Sequence, residues 1–195
     1  MSEPGHTLYL ALLHHPVKLG DGRVGSSAVT TLDVHDLARV GRTYGARRVF
    51  IVTSIDAHAA LVREIREHFT VGPGAATAPD RAEALRLLEV SPSLGDACAT
   101  IQADAGEWPR LALTAARALE PALAPADARA HLAAGRPLCL VFGTAQGLAE
   151  NALAPGLRAG AGYLPPIEPG AYNHLSVRAA IAIAVDRLAG APWPA

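Results

Sequence analysis

Residues Leu8 to Leu13 (Leu-Tyr-Leu-Ala-Leu-Leu) are apolar without a break, and the run stops at His14-His15-Pro16. A strand with one face in water would alternate apolar and polar side chains. An unbroken run this short therefore predicts a strand buried on both faces, as in a parallel sheet covered by helices. Val49 to Thr53 repeats the pattern behind Arg47-Arg48. Between the two, the stretch from Asp33 carries Val34, Leu37, Ala38, Gly41 and Tyr44 on one helical stripe and closes at Gly45. Asp33 is placed to cap its first turn, with Asp36 three residues on. A second helix is expected from about Ala57 to Phe69, with Ala60, Leu61, Ile65 and Phe69 inward and Arg63, Glu64, Arg66 and Glu67 outward. Strand, helix, strand, helix in that order predicts an α/β fold, a mostly parallel sheet flanked by helices.

The remaining chain continues the pattern. Val71 to Pro79 reads as a Gly/Pro connection, Asp80 to Leu88 as a helix running into a strand near Leu87 to Val90, and Ser93 to Ala103 as a helix. Arg110 to Thr114 reads as a strand and Pro125 to Ala134 as a helix ended by Gly135. Leu138 to Phe142 is a strand entering the glycine loop Gly143-Thr144-Ala145-Gln146-Gly147, followed by a short helix. A second strand-like run around Tyr163 to Ile167 leads through Glu168-Pro169-Gly170-Ala171-Tyr172 to a helix of small residues from Asn173 to Ala180 and beyond. Residues 1–195 are expected to form a single domain.

Composition removes several function classes. A net charge of −1 gives no global signature of nucleic-acid binding, so any RNA contact must come from a local patch or an oligomer groove. The two cysteines, Cys98 and Cys139, lack CxxC or His-rich surroundings and are expected as buried free thiols, with no metal site. No apolar run approaches the roughly 20 residues of a membrane span, and Met1 to Pro4 does not open like a signal peptide, so a cytoplasmic protein without a membrane partner is expected.

Three loops could carry chemistry. Gly20-Asp21-Gly22-Arg23-Val24-Gly25 matches GxGxxG, but Pro16 to Leu19 separate it from the strand and no helical period follows, so it reads as a flexible loop with an Asp-Gly turn. The loop Phe142 to Leu148 lets a ligand approach main-chain amides, and no lysine follows to make it a P-loop. In the third, Pro165, Pro166 and Pro169 stiffen the chain and remove donors, Gly170 permits a bend, and Asn173 or Ser176 can cap the next helix. That helix carries Val177, Ile181, Ala184, Val185 and Leu188 on one stripe and Ala179, Ala180, Ala182 and Ile183 elsewhere, a composition that predicts burial on more than one side and a subunit interface.

Leu164 to Ala180, preceded by Phe142 to Leu148, resembles the two cofactor loops of the SPOUT superfamily of S-adenosylmethionine-dependent RNA methyltransferases. With Tyr9 to His14 and Leu32 to Arg39, the resemblance extends over nearly the whole chain, to a little-characterised bacterial family of RNA methyltransferases within that superfamily. It implies an α/β fold with a C-terminal trefoil knot, a homodimer, S-adenosylmethionine bent in the knot, and tRNA or rRNA as substrate. By position it implies cofactor contacts from Thr114 and Ala115, from Phe142, Gly143, Thr144, Gly147 and Leu148, and from Ile167, Pro169, Gly170, Tyr172, Asn173, His174, Leu175 and Ser176. Arg39 and Asp33 match the arginine and asparagine of the first motif in the ribose-methylating branch. Asp33 replaces that asparagine, and Ala145-Gln146 stands where the branch's glycine loop carries a glutamate.

Methyl transfer from a sulfonium needs in-line placement of nucleophile and methyl, and removal of a proton where the nucleophile is protonated. Arg39 could stabilise a developing anion or grip a phosphate, and Asp33 could serve as base or only as helix cap. Arg39, Arg42, Arg47 and Arg48 fall within ten residues, which is consistent equally with a local phosphate-contacting patch and with a solvated basic face. The absent glutamate keeps open the alternative of a non-catalytic module that binds cofactor or RNA with the same fold.

Overall fold

The computed structural model describes residues 7–167, 170 and 172–191. Leu8–Leu13 forms β1, the centre of a six-stranded sheet in which every pairing is parallel. The other strands are β4 (Arg48–Val52), β5 (Leu88–Ser91), β6 (Arg110–Leu113), β7 (Leu138–Gly143) and β8 (Ala161–Tyr163), in the order β5-β4-β1-β7-β6-β8. The unbroken apolar runs have the expected cause. Leu8, Leu10 and Leu12 enter the core on one face, and Tyr9, Ala11 and Leu13 enter it on the other.

The first face is covered by α1 (Thr31–Thr43), α2 (Asp56–Thr70), α4 (Pro79–Leu85), α6 (Pro125–Ala133) and α8 (Val177–Ala189). The second is covered by α5 (Leu94–Ala105) together with Ala152, Leu153 and Leu157. Both cysteines are free and buried; burial pushes the Cys98 thiol up to about 12 and holds Cys139 well above its ordinary value.

Several local expectations need correction. The cap of α1 is Thr30, whose hydroxyl accepts from Asp33 N–H while the Asp33 carboxylate accepts from Thr30 N–H, so Asp33 is the last residue of a capping box. Helix α2 packs Ile65 and Phe69 against the core as expected, but buries Ala59 and Val62 in place of Ala60, which is exposed. The Gly/Pro connection after α2 contains one helical turn, α3 (Gly74–Thr77). The strand expected from Tyr163 to Ile167 ends at Tyr163, because Leu164 N–H makes one more bond, to Leu113 O at 2.8 Å, and Pro165 and Pro166 have no N–H to continue. A turn of 3-10 helix (Glu150–Ala152) and α7 (Pro155–Arg158) replace the single short helix expected before it. The last helix begins at Val177 with Ser176 as its cap, so Asn173 and His174 precede it.

The GxGxxG run folds as a hairpin of β2 (Val17–Lys18) and β3 (Val24–Gly25), with Gly22 at φ 82° in the turn and no helix behind it, as the dinucleotide motif would need. Beyond β6 the chain arches to the outer edge of β8, where Leu123 N–H bonds Tyr163 O at 2.7 Å and Tyr163 N–H bonds Pro121 O at 2.8 Å. Helix α8 packs against β7, α1 and α6. Among the described residues no helix is long and apolar enough to cross a membrane.

Candidate functional site

Strand β1 is followed by a connection to β4 on one side, and β7 by a connection to β8 on the other. Neighbouring strands whose connections diverge leave a crevice at their carboxyl ends, where open α/β sheets place ligands. Here the crevice is bounded by His14, directly after β1, and by the glycine loop that closes β7.

The loop's shape follows from its glycines. A Cβ on Gly143 would sit 2.6 Å from Leu148 N and 2.7 Å from the Gly147 carbonyl carbon, so the chain doubles back at a distance only glycine allows. Gly147 has φ 101° and Ala145, which is not glycine, has φ 53°. Left-handed backbone at a non-glycine residue costs energy and persists only where the surroundings hold it. Thr144 supplies the hold: its N–H and hydroxyl both donate to Leu13 O, at 3.2 and 2.8 Å. Its side chain is buried, while Ala145 and Gln146 remain exposed.

Thr114, at the end of β6, donates from both N–H and hydroxyl to Val141 O at 3.0 Å, which ties the 114–116 segment to the strand feeding the glycine loop. Asn173 Nδ2 donates to Ala116 O at 2.9 Å, bringing the C-terminal loop to the same segment. The resemblance-derived positions on β6, on β7 and around Asn173 are thus linked in series. Phe142 is buried beneath the glycine loop, Leu148 and Ile167 are half-buried, and Tyr172, His174 and Leu175 stand exposed, with the Tyr172 and His174 rings 5.3 Å apart. Gly170 is exposed and a Cβ there would meet nothing among the described residues; Pro169 lies outside them.

Asp33 is buried and occupied: Oδ2 accepts from Thr30 Oγ1 at 2.6 Å and from Thr30 N at 3.1 Å, and Oδ1 faces Arg178 Nε at 3.8 Å. Arg178 also bonds Asp36 at 2.8 Å, so the first turn of α8 is tied to the start of α1. Arg39 lies on the exposed side of α1 and has no ion pair among the described residues. The candidate arginine patch is otherwise consumed. Arg42 pairs with Glu83, Arg47 with Asp104 at 2.6 Å, and Arg48 with both Asp104 and Glu89. Arg47 and Arg48 also lie at the amino end of β4, remote from the crevice.

Residue-by-residue reading of the sequence gave little weight to His14 and none to Ser27. His14 is wholly buried, its Nδ1 is 3.1 Å from Ser27 Oγ, and Ser27 Oγ bonds Thr144 Oγ1. His15 and His58 bond Ser54 and Thr53 at the neighbouring end of β4. Among the described residues no group of side chains is arranged to hold a metal ion.

The glycine loop spends most of its amides within the protein, Thr144 N–H on Leu13 O, Gln146 N–H on Lys18 O and Gly147 N–H on Thr144 O. A family model described as SAM-dependent RNA methyltransferase matches residues 7–190. The chain is 40% identical over 190 residues to the tRNA (guanine-N(1)-)-methyltransferase of Nitratidesulfovibrio vulgaris, a match that covers 97% of this chain and 43% of that protein. It therefore spans less than half the length of this curated relative. A methylase family protein from Neisseria gonorrhoeae superposes with a TM-score of 0.59 at 19% identity, over 96% of this chain and 84% of that one. The SpoU methyltransferase AviRb from Streptomyces viridochromogenes superposes with a TM-score of 0.54 at 14% identity, over 93% and 58% of the two chains.

Proposed function

The chain belongs to the SAM-dependent RNA methyltransferase family, and we propose that it transfers the methyl group of S-adenosylmethionine to RNA, of the tRNA or rRNA class. The observation that carries this reading is the glycine loop, doubled back at the point where the sheet's connections diverge. Thr114 to Ala116, Phe142 to Leu148 and Ile167 to Ser176 would hold the cofactor, mainly through main-chain groups. When bound, it supplies an electrophilic methyl on a cationic sulfonium.

The protein's own part is placement. Gly143 and Gly147 keep side chains off the main chain that faces the ligand, and Thr144 turns its side chain into the sheet. Arg39, which has no ion pair among the described residues, is the cation assigned to hold a phosphate or stabilise an anion developing on the nucleophile. Asp33, with Oδ2 engaged by Thr30, fixes the start of α1 and its register with Arg178.

This domain acts in the cytoplasm and as a homodimer, in which α8 supplies apolar surface. Val177, Ala179, Ala180 and Ile183 are only half-buried within one chain. The implied trefoil knot would be threaded by the C-terminal helix α8. A second reading rests on Ala145-Gln146, which leaves the glycine loop without a carboxylate: the same pocket would then bind cofactor without catalysis. Calorimetry with S-adenosylmethionine and S-adenosylhomocysteine, beside labelled-methyl transfer to RNA from cells lacking the protein, separates the outcomes. Binding with transfer is expected, binding without transfer selects the second reading, and no binding removes both.

A further inference from the structure

The segment between β1 and α1 is fastened to the glycine loop. Lys18 N–H donates to Gly147 O and Gln146 N–H to Lys18 O, both at 2.9 Å, and Val17 and Leu148 form an antiparallel bridge. Side chains add a second fastening, His14 to Ser27 to Thr144. Its direction follows from counting protons. Thr144 Oγ1 has one hydrogen and donates it to Leu13 O at 2.8 Å, so it must accept from Ser27. Ser27 thereby spends its own proton, and its oxygen must accept from His14 Nδ1–H. The assignment makes His14 neutral, with the proton on Nδ1. Burial, which pushes this imidazole below its ordinary value against the pull of Asp33, favours the same form. His14 Nε2 is then a bare acceptor, buried and without a partner among the described residues.

The chain ends on Thr144, which precedes the strained Ala145 at φ 53°. We propose that His14 is a positioning residue: through Ser27 and Thr144 it holds the glycine loop in the conformation that receives the cofactor. This rests on the reading of that loop as the cofactor loop. His14 itself touches neither cofactor nor RNA, and its effect is on cofactor affinity.

Three variants test it. His14→Phe keeps the ring volume and loses the donor, Ser27→Ala removes one oxygen from the middle of the chain, and His14→Asn restores an N–H near the position of Nδ1. His14→Phe and Ser27→Ala should each raise the Kd and KM for S-adenosylmethionine about ten-fold, as expected for losing a relay of buried hydrogen bonds, with kcat at saturating cofactor nearly unchanged. His14→Asn should bind within about three-fold of the unmodified protein. In the cofactor-free protein, amide hydrogen exchange at Gln146 and Gly147 should quicken about ten-fold in the first two variants and not in the third. Wild-type affinity and wild-type exchange in Ser27→Ala would overturn the proposal, as would a His14→Asn protein as impaired as His14→Phe. If His14→Phe does not fold, Ser27→Ala decides alone. Failure of the unmodified protein to bind cofactor would remove the functional reading, while the exchange comparison would still report on the positioning role.

Discussion

The two ends of the parallel sheet are built from different chemistry. At the amino end charges are spent on one another: Asp104, at the foot of α5, takes Arg47 at 2.6 Å and Arg48 at 3.1 Å, Arg48 also takes Glu89, and Tyr9 OH donates to Asp104 at 3.3 Å. At the carboxyl end Arg178 spans Asp33 and Asp36, and beside that pair the groups are neutral hydroxyls, imidazoles and loop main chain. One of them, His14, keeps a buried nitrogen unpartnered among the described residues. A saturated ionic cluster locks a helix to a sheet and has nothing left for a ligand. A rim of neutral hydroxyls, imidazoles and loop main chain beside the Arg178 pairs is the end suited to a polar ligand. The amino end should therefore respond to substitution in stability, and the carboxyl end in binding.

The largest expected effect is at Gly143. Gly143→Val drives a side chain into the backbone of Gly147 and Leu148, and cofactor affinity measured by calorimetry should fall more than about 100-fold. Gly170→Val sharpens the point, because a side chain there meets nothing among the described residues. A loss of about ten-fold in affinity is expected from crowding the ligand itself, and unchanged affinity would take Gly170 out of the site.

At the amino end, Asp104→Asn should cost about 1–3 kcal/mol in urea unfolding, since two arginines and Tyr9 OH lose their charged partner, while cofactor affinity stays as it was. The neighbouring guanidiniums, Arg48 first, hold the Asp104 carboxyl below its ordinary value. Its contribution is therefore present above the ordinary carboxylate range and disappears as pH falls through the folded-state value. The gap between wild type and Asp104→Asn should close on acidification, and a gap that persisted below that range would count against the ion cluster.

Tyr9→Phe should cost less, about 0.5–1.5 kcal/mol, by loss of one hydrogen bond. Burial and then Asp104 push the Tyr9 hydroxyl up to about 12, so its contribution is whole below the unfolded value of about 10 and fades as pH rises toward 12. Stability of Tyr9→Phe measured across that alkaline window should decline less than that of the wild type.

Much of the fold was legible because continuous apolar runs leave one inexpensive solution, strands covered on both faces, and the order of elements then sets a parallel sheet. What failed did so for local reasons. The capping box Thr30-Thr31-Leu32-Asp33 is written in the sequence, but its last residue, Asp33, looks like the cap when the first is overlooked. Pro165 and Pro166 were counted as loop stiffeners when they also end the strand at Tyr163. Four arginines within ten residues looked like a patch because their partners, Glu83, Glu89 and Asp104, are distant in sequence, and because α1 and β4 carry them apart. The His14–Ser27–Thr144 chain was hidden for the same reason: Ser27 and Thr144 are 117 positions apart and meet only when β1 and β7 pair. The glycine loop was recognisable from its residues, whereas the reason Gly143 must be glycine, contact with Leu148 and Gly147, belongs to the folded chain.

We propose that this chain transfers methyl to RNA, with Arg39, on the exposed side of α1, acting on the substrate and not on the cofactor. The most direct test is incorporation of labelled methyl from S-adenosylmethionine into RNA of cells lacking the protein, comparing wild type with Arg39→Ala at matched cofactor occupancy. Label in RNA with the wild type, at least about 100-fold less with Arg39→Ala, and equal cofactor affinity for both are predicted. Unlabelled RNA despite bound cofactor, or equal turnover by the two proteins, would contradict it.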